Sequence, residues 1–323
     1  METGIREISD DIFMITLPIT YEPRHVNVFA IMKDGLVSLI DTGPNFPGVF
    51  AALESVLGKI GRKTKEIDQI FVTHSHSDHC GLAGAIQKIS GAEVYMHEME
   101  YRRSMVDEKM LYNSMRSFYH QGGLSHAIFE RGLKTRKMWN EATLPFNEMD
   151  FLVPGDSIRV KNEIVEVIHC PGHTAGHVVF FIRERALLFS GDHVLPHITP
   201  NLSPDLTNHL FRPLMSFINS LDNIRDLPVS MVYPAHGKPF TNLKERIEDM
   251  KSHLNERKIL IINSLSAGLK TAYEITEYVF GVDLSDYDKL LAFDETYSYL
   301  MELESESLIR CKLLNSKSVY ILL

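Results

Sequence analysis

A layered α/β fold is predicted by three observations on the sequence. Short apolar runs of strand character open the chain and return in its second half. Helical periodicity fills the stretches between them, and from about residue 242 the pattern turns helical almost to the end. Taken in order, IFMITLPI (12–19), VNVFAIM (26–32), LVSLID (36–41), QIFVTH (69–74) and AEVYMH (92–97) are apolar runs of strand length separated by turn signals. FPGVFAALESVLGKI (46–60) and GLAGAIQKIS (81–90) repeat apolar residues at helical spacing. Strands return at IRVKNEIVEVIHC (158–170), HVVFFIRERALLFSGD (177–192) and VSMVYPAHG (229–237). Strands first and last, with helices between, call for sheets covered by helices.

Residues 96–149 break that pattern. They hold seven of the fourteen methionines, many aromatics and few β-branched residues, so an irregular helical insertion is predicted. Methionine is flexible and fills irregular surfaces, which suits a cap over a substrate site; packing of the inserted helices on the body is its other use. From residue 242 the order is helix (LKERIEDMKSHLNERKILIINSLSAG), helix (TAYEITEYVFG), helix (FDETYSYLMELESESLI), then two strand-like runs around Asn315 and Ser316. That is the order of a winged-helix domain, a common reader of DNA. Its charge argues otherwise: residues 242–323 carry 10 Lys and Arg against 14 Asp and Glu, a net −4. The third helix, which would need cations in the major groove, instead holds Asp294, Glu295, Glu302, Glu304 and Glu306. Packing, dimerisation into a homodimer, or a wall of the substrate pocket are the roles left to it.

The whole chain of 323 residues, 44% hydrophobic and 23% charged, has the composition of a soluble globular protein. A formal charge of −9 disfavours a dedicated nucleic-acid partner, because phosphate affinity comes from clustered Lys and Arg. Three cysteines, Cys80, Cys170 and Cys311, make no disulfide framework, and METGIREISDDIF lacks the apolar centre of a secretory signal; a cytoplasmic location with no membrane association is expected.

The chemistry lies in THSHSDHCG (73–81), where His74, His76, Asp78 and His79 follow an apolar strand. While the chain is still extended, residues two apart point to one side, so His74 and His76 face together. A turn beyond them presents Asp78 and His79. Imidazole and carboxylate donors suit Zn, Fe or Mn. Further donors follow other strands: HCPGHTAGH (169–177) offers His169, His173 and His177, LLFSGDHV (187–194) ends a strand at Asp192, and VYPAHGK (232–238) carries His236. Each lies just past the C-terminal end of a strand, where α/β sheets place their sites.

HxHxDH, PGHTxGH, SGD and PAHG in this order resemble the metallo-β-lactamase superfamily over roughly residues 10–240, with LVSLIDTG (36–43) similar to its first motif. The resemblance implies an αββα sandwich as catalytic domain (1–241, with 96–149 the insertion or cap) and a small C-terminal winged-helix-like domain (242–323). It implies two divalent metal ions, Zn above Fe or Mn: His74, His76 and His173 on one, Asp78, His79 and His236 on the other, and Asp192 bridging. Asp41 would orient ligands by hydrogen bonds, and Asp78 would also act in catalysis by positioning the nucleophile or shuttling a proton. The implied activity is hydrolysis of a small-molecule ester, thioester or lactone by a metal-bridging hydroxide. A phosphodiesterase or endoribonuclease, and an iron-dependent sulfur dioxygenase, are the alternatives. The insertion and tail resemble the branch of lactamase-like endoribonucleases and related bacterial hydrolases.

Other polar residues admit plainer roles. His169 and His177 fall where the family places structural residues. His193 and His197 either line the pocket or serve surface or structural ends, and His120 and His126 have no partner motif. Cys80 and Cys170 either sit near the metals or are buried inert thiols, and Tyr233 either reaches the site or packs in the core. Arg131, Lys134, Arg136 and Lys137 form either a solvated helix face or a clamp for an anionic substrate.

Overall fold

Two β-sheets lie face to face with helices on their outer sides. A computed structural model describes residues 3–20, 22–33, 35–143, 145, 149–153, 155–160 and 163–323. The first sheet holds seven strands in sequence order: β1 (Gly4–Ser9), β2 (Ile12–Pro18), β3 (His25–Lys33), β4 (Leu36–Ile40), β5 (Ile67–Phe71), β6 (Glu93–His97) and β7 (Asp150–Leu152). β1 to β4 pair antiparallel, and the steps from β4 to β7 are parallel. Parallel neighbours need crossovers. α1 (Val49–Lys59) makes the first, and α2 (Ser77–Cys80) with α3 (Ala83–Ser90) the second. The third is the insertion, which is three regular helices: α4 (Glu98–Ser104), α5 (Glu108–Gln121) and α6 (His126–Glu141). Residues 144 and 146–148 of the predicted insertion lie outside the described residues.

In the second sheet β8 (Ser157–Val160), β9 (Glu163–His169), β10 (Val178–Ile182) and β11 (Leu187–Gly191) run antiparallel side by side, and β12 (Met231–Pro234) joins β11 in parallel after helix α7 (Pro213–Ile224). β10 and β11 read VVFFI and LLFSG without alternation because both faces are covered; every position is buried. Their inner residues Phe180 and Phe189 meet Ile12, Phe29, Ile31 and Phe71 of the first sheet, with Phe29 edge-on to Phe189 at 4.8 Å between centroids. Outside the first sheet, Leu53, Val56 and Leu57 of α1 and Ile86 of α3 cover Leu17, Val28, Leu39 and Ile70. Each fully buried side chain of this kind contributes about 1.5–3 kcal/mol of transfer free energy. This is the predicted αββα sandwich.

The tail comprises α8 (Leu243–Ser264), β13 (Lys270–Thr271), α9 (Ala272–Phe280), α10 (Asp286–Ser305), β14 (Ile309–Leu314) and β15 (Lys317–Leu322), the strands forming a sheet ordered β13-β15-β14. Asn315 and Ser316 take positive φ in the two-residue hairpin turn between β14 and β15. α10 starts at Asp286, seven residues before the predicted 293, behind a Ser285 cap whose hydroxyl accepts from Asp288 N. Its polar first turn hides the start from an apolar pattern. β1 and α7 were not predicted.

Tail, insertion and second sheet share one apolar core. Phe181 and Leu188 of the sheet, Phe217 of α7, Tyr119 and Phe129 of the insertion, and Leu290, Phe293 and Ile309 of the tail are all buried in it. Met115 joins this core, the packing use predicted for the insertion's methionines, whereas Met99, Met105, Met110 and Met138 are exposed. Of the acidic residues read as barring DNA, Asp294 and Glu295 point inward, at 3% and 6% exposure. Asp294 accepts from Tyr119 Oη at 2.7 Å and pairs with Arg136 at 3.4 Å; Glu295 pairs with Arg257. The basic stretch of α6 is therefore partly neither solvated face nor clamp, since Arg136 is tied to Asp294 and Arg131 to Asp286 of α10. Among the described residues no helix is long and apolar enough to cross a membrane.

Candidate metal centre

All seven predicted donors meet at one edge of the sandwich. His74 and His76 follow β5 through a bent segment, and His76, itself extended, precedes the short helix α2, which carries Asp78 and His79. His173 follows β9, Asp192 follows β11 and His236 follows β12. A side chain on Gly81 would overlap Ser77 O and Ala142 O at 2.3 and 2.4 Å, so only glycine lets the end of α6 lie against this loop.

The donors gather in three overlapping groups: His74, His76 and His173; His74, His79 and Asp192; and Asp78, His79 and His236. His76 Nδ1 is 3.0 Å from His74 Nε2 and 2.9 Å from His173 Nε2. Asp192 Oδ1 is 3.6 Å from His79 Nε2 and 3.4 Å from His236 Nε2, its Oδ2 is 3.6 Å from His173 Nε2, and Asp78 Oδ2 is 3.3 Å from His236 Nε2. A tetrahedral site with bonds of 2.0–2.1 Å places its nitrogens about 3.3 Å apart, close to these separations. Among the described residues, His79 Nε2 and Asp192 Oδ1 are buried with no hydrogen-bond partner. Buried polar atoms are otherwise almost always satisfied, and a divalent cation would satisfy both. The donor set fits such an ion.

The far sides of the imidazoles are anchored, which aims the near nitrogens inward. His79 Nδ1 meets Asp41 Oδ2 at 2.8 Å, His173 Nδ1 meets Asn201 O at 2.8 Å, and His236 Nδ1 meets His25 O at 2.8 Å. Asp41, 2% exposed and at a φ of 59°, also accepts from Thr73 N and Thr73 Oγ1. This is the anchoring place predicted for it. Asp192 is held by its own N–H, which donates to His177 Nε2 at 3.2 Å.

Burial, followed by the neighbouring imidazoles, puts His74 well below the usual histidine range. For His76 the order is burial, His173 and then the Arg103 guanidinium. The other half is charged. Burial opposes a cationic His79, yet Asp192, Asp78 and Asp41 outweigh it and raise the pKa well above the ordinary value. Burial likewise opposes the Asp78 carboxylate, but His79 and His236 bring its pKa down to about 2.

The remaining predicted residues fall outside the cluster. His169 stacks on His97 at 4.5 Å and bonds Ala175 O. His193 is fully buried, edge-on to Phe217, and burial pushes its pKa down to about 3; His197 is exposed. Tyr233 stacks on Phe189 in the core between the sheets. His120 and His126 lie exposed on α5 and α6, and the Cys80 and Cys170 thiols are buried, which raises their pKa values.

Four contributors carry no sequence signal: His25 and Asn201, whose carbonyls orient His236 and His173, and Glu100 and Arg103 of α4. Glu100 reaches the backbone of both histidine loops. Arg103, three residues on and on the same helix face, is half-buried with no ion-pair or hydrogen-bond partner among the described residues, and its charge acts on His76 and His173.

The model of the Metallo-beta-lactamase superfamily matches residues 21–236. The probable metallo-hydrolase YqjP of Bacillus subtilis is 25% identical over 309 residues, covering 93% of this chain and 94% of that protein. An atrochrysone carboxyl ACP thioesterase of Aspergillus chevalieri is 25% identical over 146 residues, 43% of this chain and 44% of its own. The crystal structure of a metallo-beta-lactamase family protein from Thermus thermophilus superposes with a TM-score of 0.88 at 26% identity, covering 98% of this chain and 100% of that one.

Proposed function

The chain belongs to the metallo-beta-lactamase superfamily and is a metal-dependent hydrolase, and we propose that it cleaves a small ester, thioester or lactone at a dinuclear centre. The observation that carries this reading is the convergence of two donor trios, with Asp192 in reach of both and two of the donor atoms buried without a partner. His74, His76 and His173 would hold one divalent cation and Asp78, His79 and His236 the other, with Asp192 shared. Such a pair supplies Lewis acidity toward the scissile carbonyl and lowers the pKa of water from about 15.7 to about 7.

The protein's own groups do the rest. Asp78, ionised above pH about 2, orients the attacking water and accepts its proton. Asp41, Asn201 O and His25 O keep three imidazoles from turning. No side-chain nucleophile is required, and the nearby Cys80 thiol is held protonated by burial. Arg103, without an ion-pair partner among the described residues, offers a cation whose charge acts on His76 and His173, which favours a substrate with an anionic group close to the scissile bond. Thioester cleavage gains support from the thioesterase name of one relative. We read residues 242–323 as a winged-helix-like domain that walls the site, since Asn201 Nδ2 donates to Leu291 O of α10 at 2.9 Å.

The test is turnover of an activated thioester, a lactone, bis-p-nitrophenyl phosphate and single-stranded RNA by protein of measured metal content. Turnover of the thioester or lactone is expected. Cleavage of the phosphodiesters alone, or one iron per chain with oxygen uptake, overturns the proposal.

A further inference from the structure

We propose that Glu100, in the first turn of α4, is a positioning residue that locks the two loops of the His74–His76–His173 trio together. The role rests on the reading of that trio as a cation site. Glu100 is 1% exposed. Its Oε2 accepts from Ser75 N at 2.9 Å and Ser75 Oγ at 2.6 Å, and its Oε1 accepts from Gly176 N at 2.7 Å. Ser75 lies between His74 and His76, and Gly176 lies between His173 and His177. One carboxylate therefore spans the peptide segments that carry all three imidazoles. The backbone joins the same loops deeper in the sheet, from Val178 N to Thr73 O at 3.0 Å; Glu100 joins them at the histidines.

Two features mark this contact as built. A side chain on Gly176 would sit 2.9 Å from Glu100 Cγ and Oε1, so that position must be glycine for the carboxylate to arrive. Second, a buried carboxylate is costly unless its oxygens are bonded, and among the described residues Glu100 forms no ion pair with Lys or Arg. Three donors on two oxygens replace one. Only a group accepting on both oxygens serves. Glutamine has one acceptor oxygen and an NH₂, so in either orientation an N–H meets an N–H.

The experiment compares wild-type, Glu100→Gln and Ser75→Ala proteins loaded with Co(II), by visible absorption, competition titration and thermal melting. Glu93→Gln, a carboxylate on β6 facing Tyr95, is the control. Glu100→Gln is expected to change the Co(II) bands and to weaken uptake of one of two ions by about 10–100-fold, the usual cost of losing an outer partner. Ser75→Ala, which removes one donor of three, is expected to shift both readouts less, in the same direction. Wild-type bands and affinity in Glu100→Gln, with only a lower melting temperature, overturn the proposal. If that variant does not fold, unchanged bands and affinity in Ser75→Ala overturn it. Wild-type protein that takes up no Co(II) overturns the metal reading itself.

Discussion

The two halves of the cluster use different chemistry at the same edge of the sandwich. His74, His76 and His173 are neutral imidazoles, their pKa values lowered first by burial. Around His79 and His236 the balance reverses: despite burial, Asp192, Asp78 and, for His79, Asp41 raise the imidazole pKa values above the ordinary one. One half disfavours a protonated imidazole; the other sets carboxylates against its imidazoles and favours a proton that a cation would have to displace. The difference shows that seven donors of similar type do not make two equivalent sites.

The largest effect is expected where the halves meet. Asp192→Ala removes a donor from both, so kcat/KM should fall well beyond the roughly 10–100-fold cost of an outer partner, with metal content below two per chain by elemental analysis. His76→Ala should also abolish turnover in a folded protein; turnover retained with one ion or none would break the pairing. Next, Asp41→Asn removes the direct anchor of His79 and reaches His74 only through Thr73 Oγ1, so it should weaken chiefly one ion, by about 10–100-fold, read by competition titration. Equal weakening of both ions would erase the distinction.

Proton linkage comes third. Metal ligands bind deprotonated, so filling the half around His79 should release a proton and lose about tenfold in affinity per pH unit as pH falls below the raised His79 pKa. The trio of lowered histidines should release none near neutrality. Calorimetry in buffers of different ionisation heat reads this directly. In the metal-free fold the same proton stabilises: that contribution is present at low pH and fades as pH rises through the folded pKa of His79. Last, Arg103→Gln should raise KM about fivefold for anionic substrates, the modest scale of a partly exposed charge, with kcat and neutral esters unaffected. A change in kcat alone would place Arg103 elsewhere in the reaction.

The donor set was legible because each member sits in a short motif at a strand end, where the local chain direction already fixes what it faces. The anchors were not. Glu100, His25 and Asn201 act across gaps of 25, 211 and 28 residues, and nothing adjacent in the sequence signals them. Charge was misleading in α6 and α10 for the same reason: Arg136, Asp294 and Glu295 read as surface until folding pairs them across the core. A layered α/β fold was readable from runs such as VVFFI and the sandwich only through the resemblance of the motifs, while the charged GIREIS of β1 hides a strand and α7 lies in a stretch without a clear pattern.

Asn201 ties the donor cluster to the tail. Its carbonyl steadies His173 while its amide grips Leu291 O, so a two-bond relay runs from a ligand into α10. Trimming the protein at residue 241, an obvious shortcut toward a minimal catalyst, would cut that relay and strip the apolar cover from α7. The piece left behind would be poorly suited to report what the intact enzyme does.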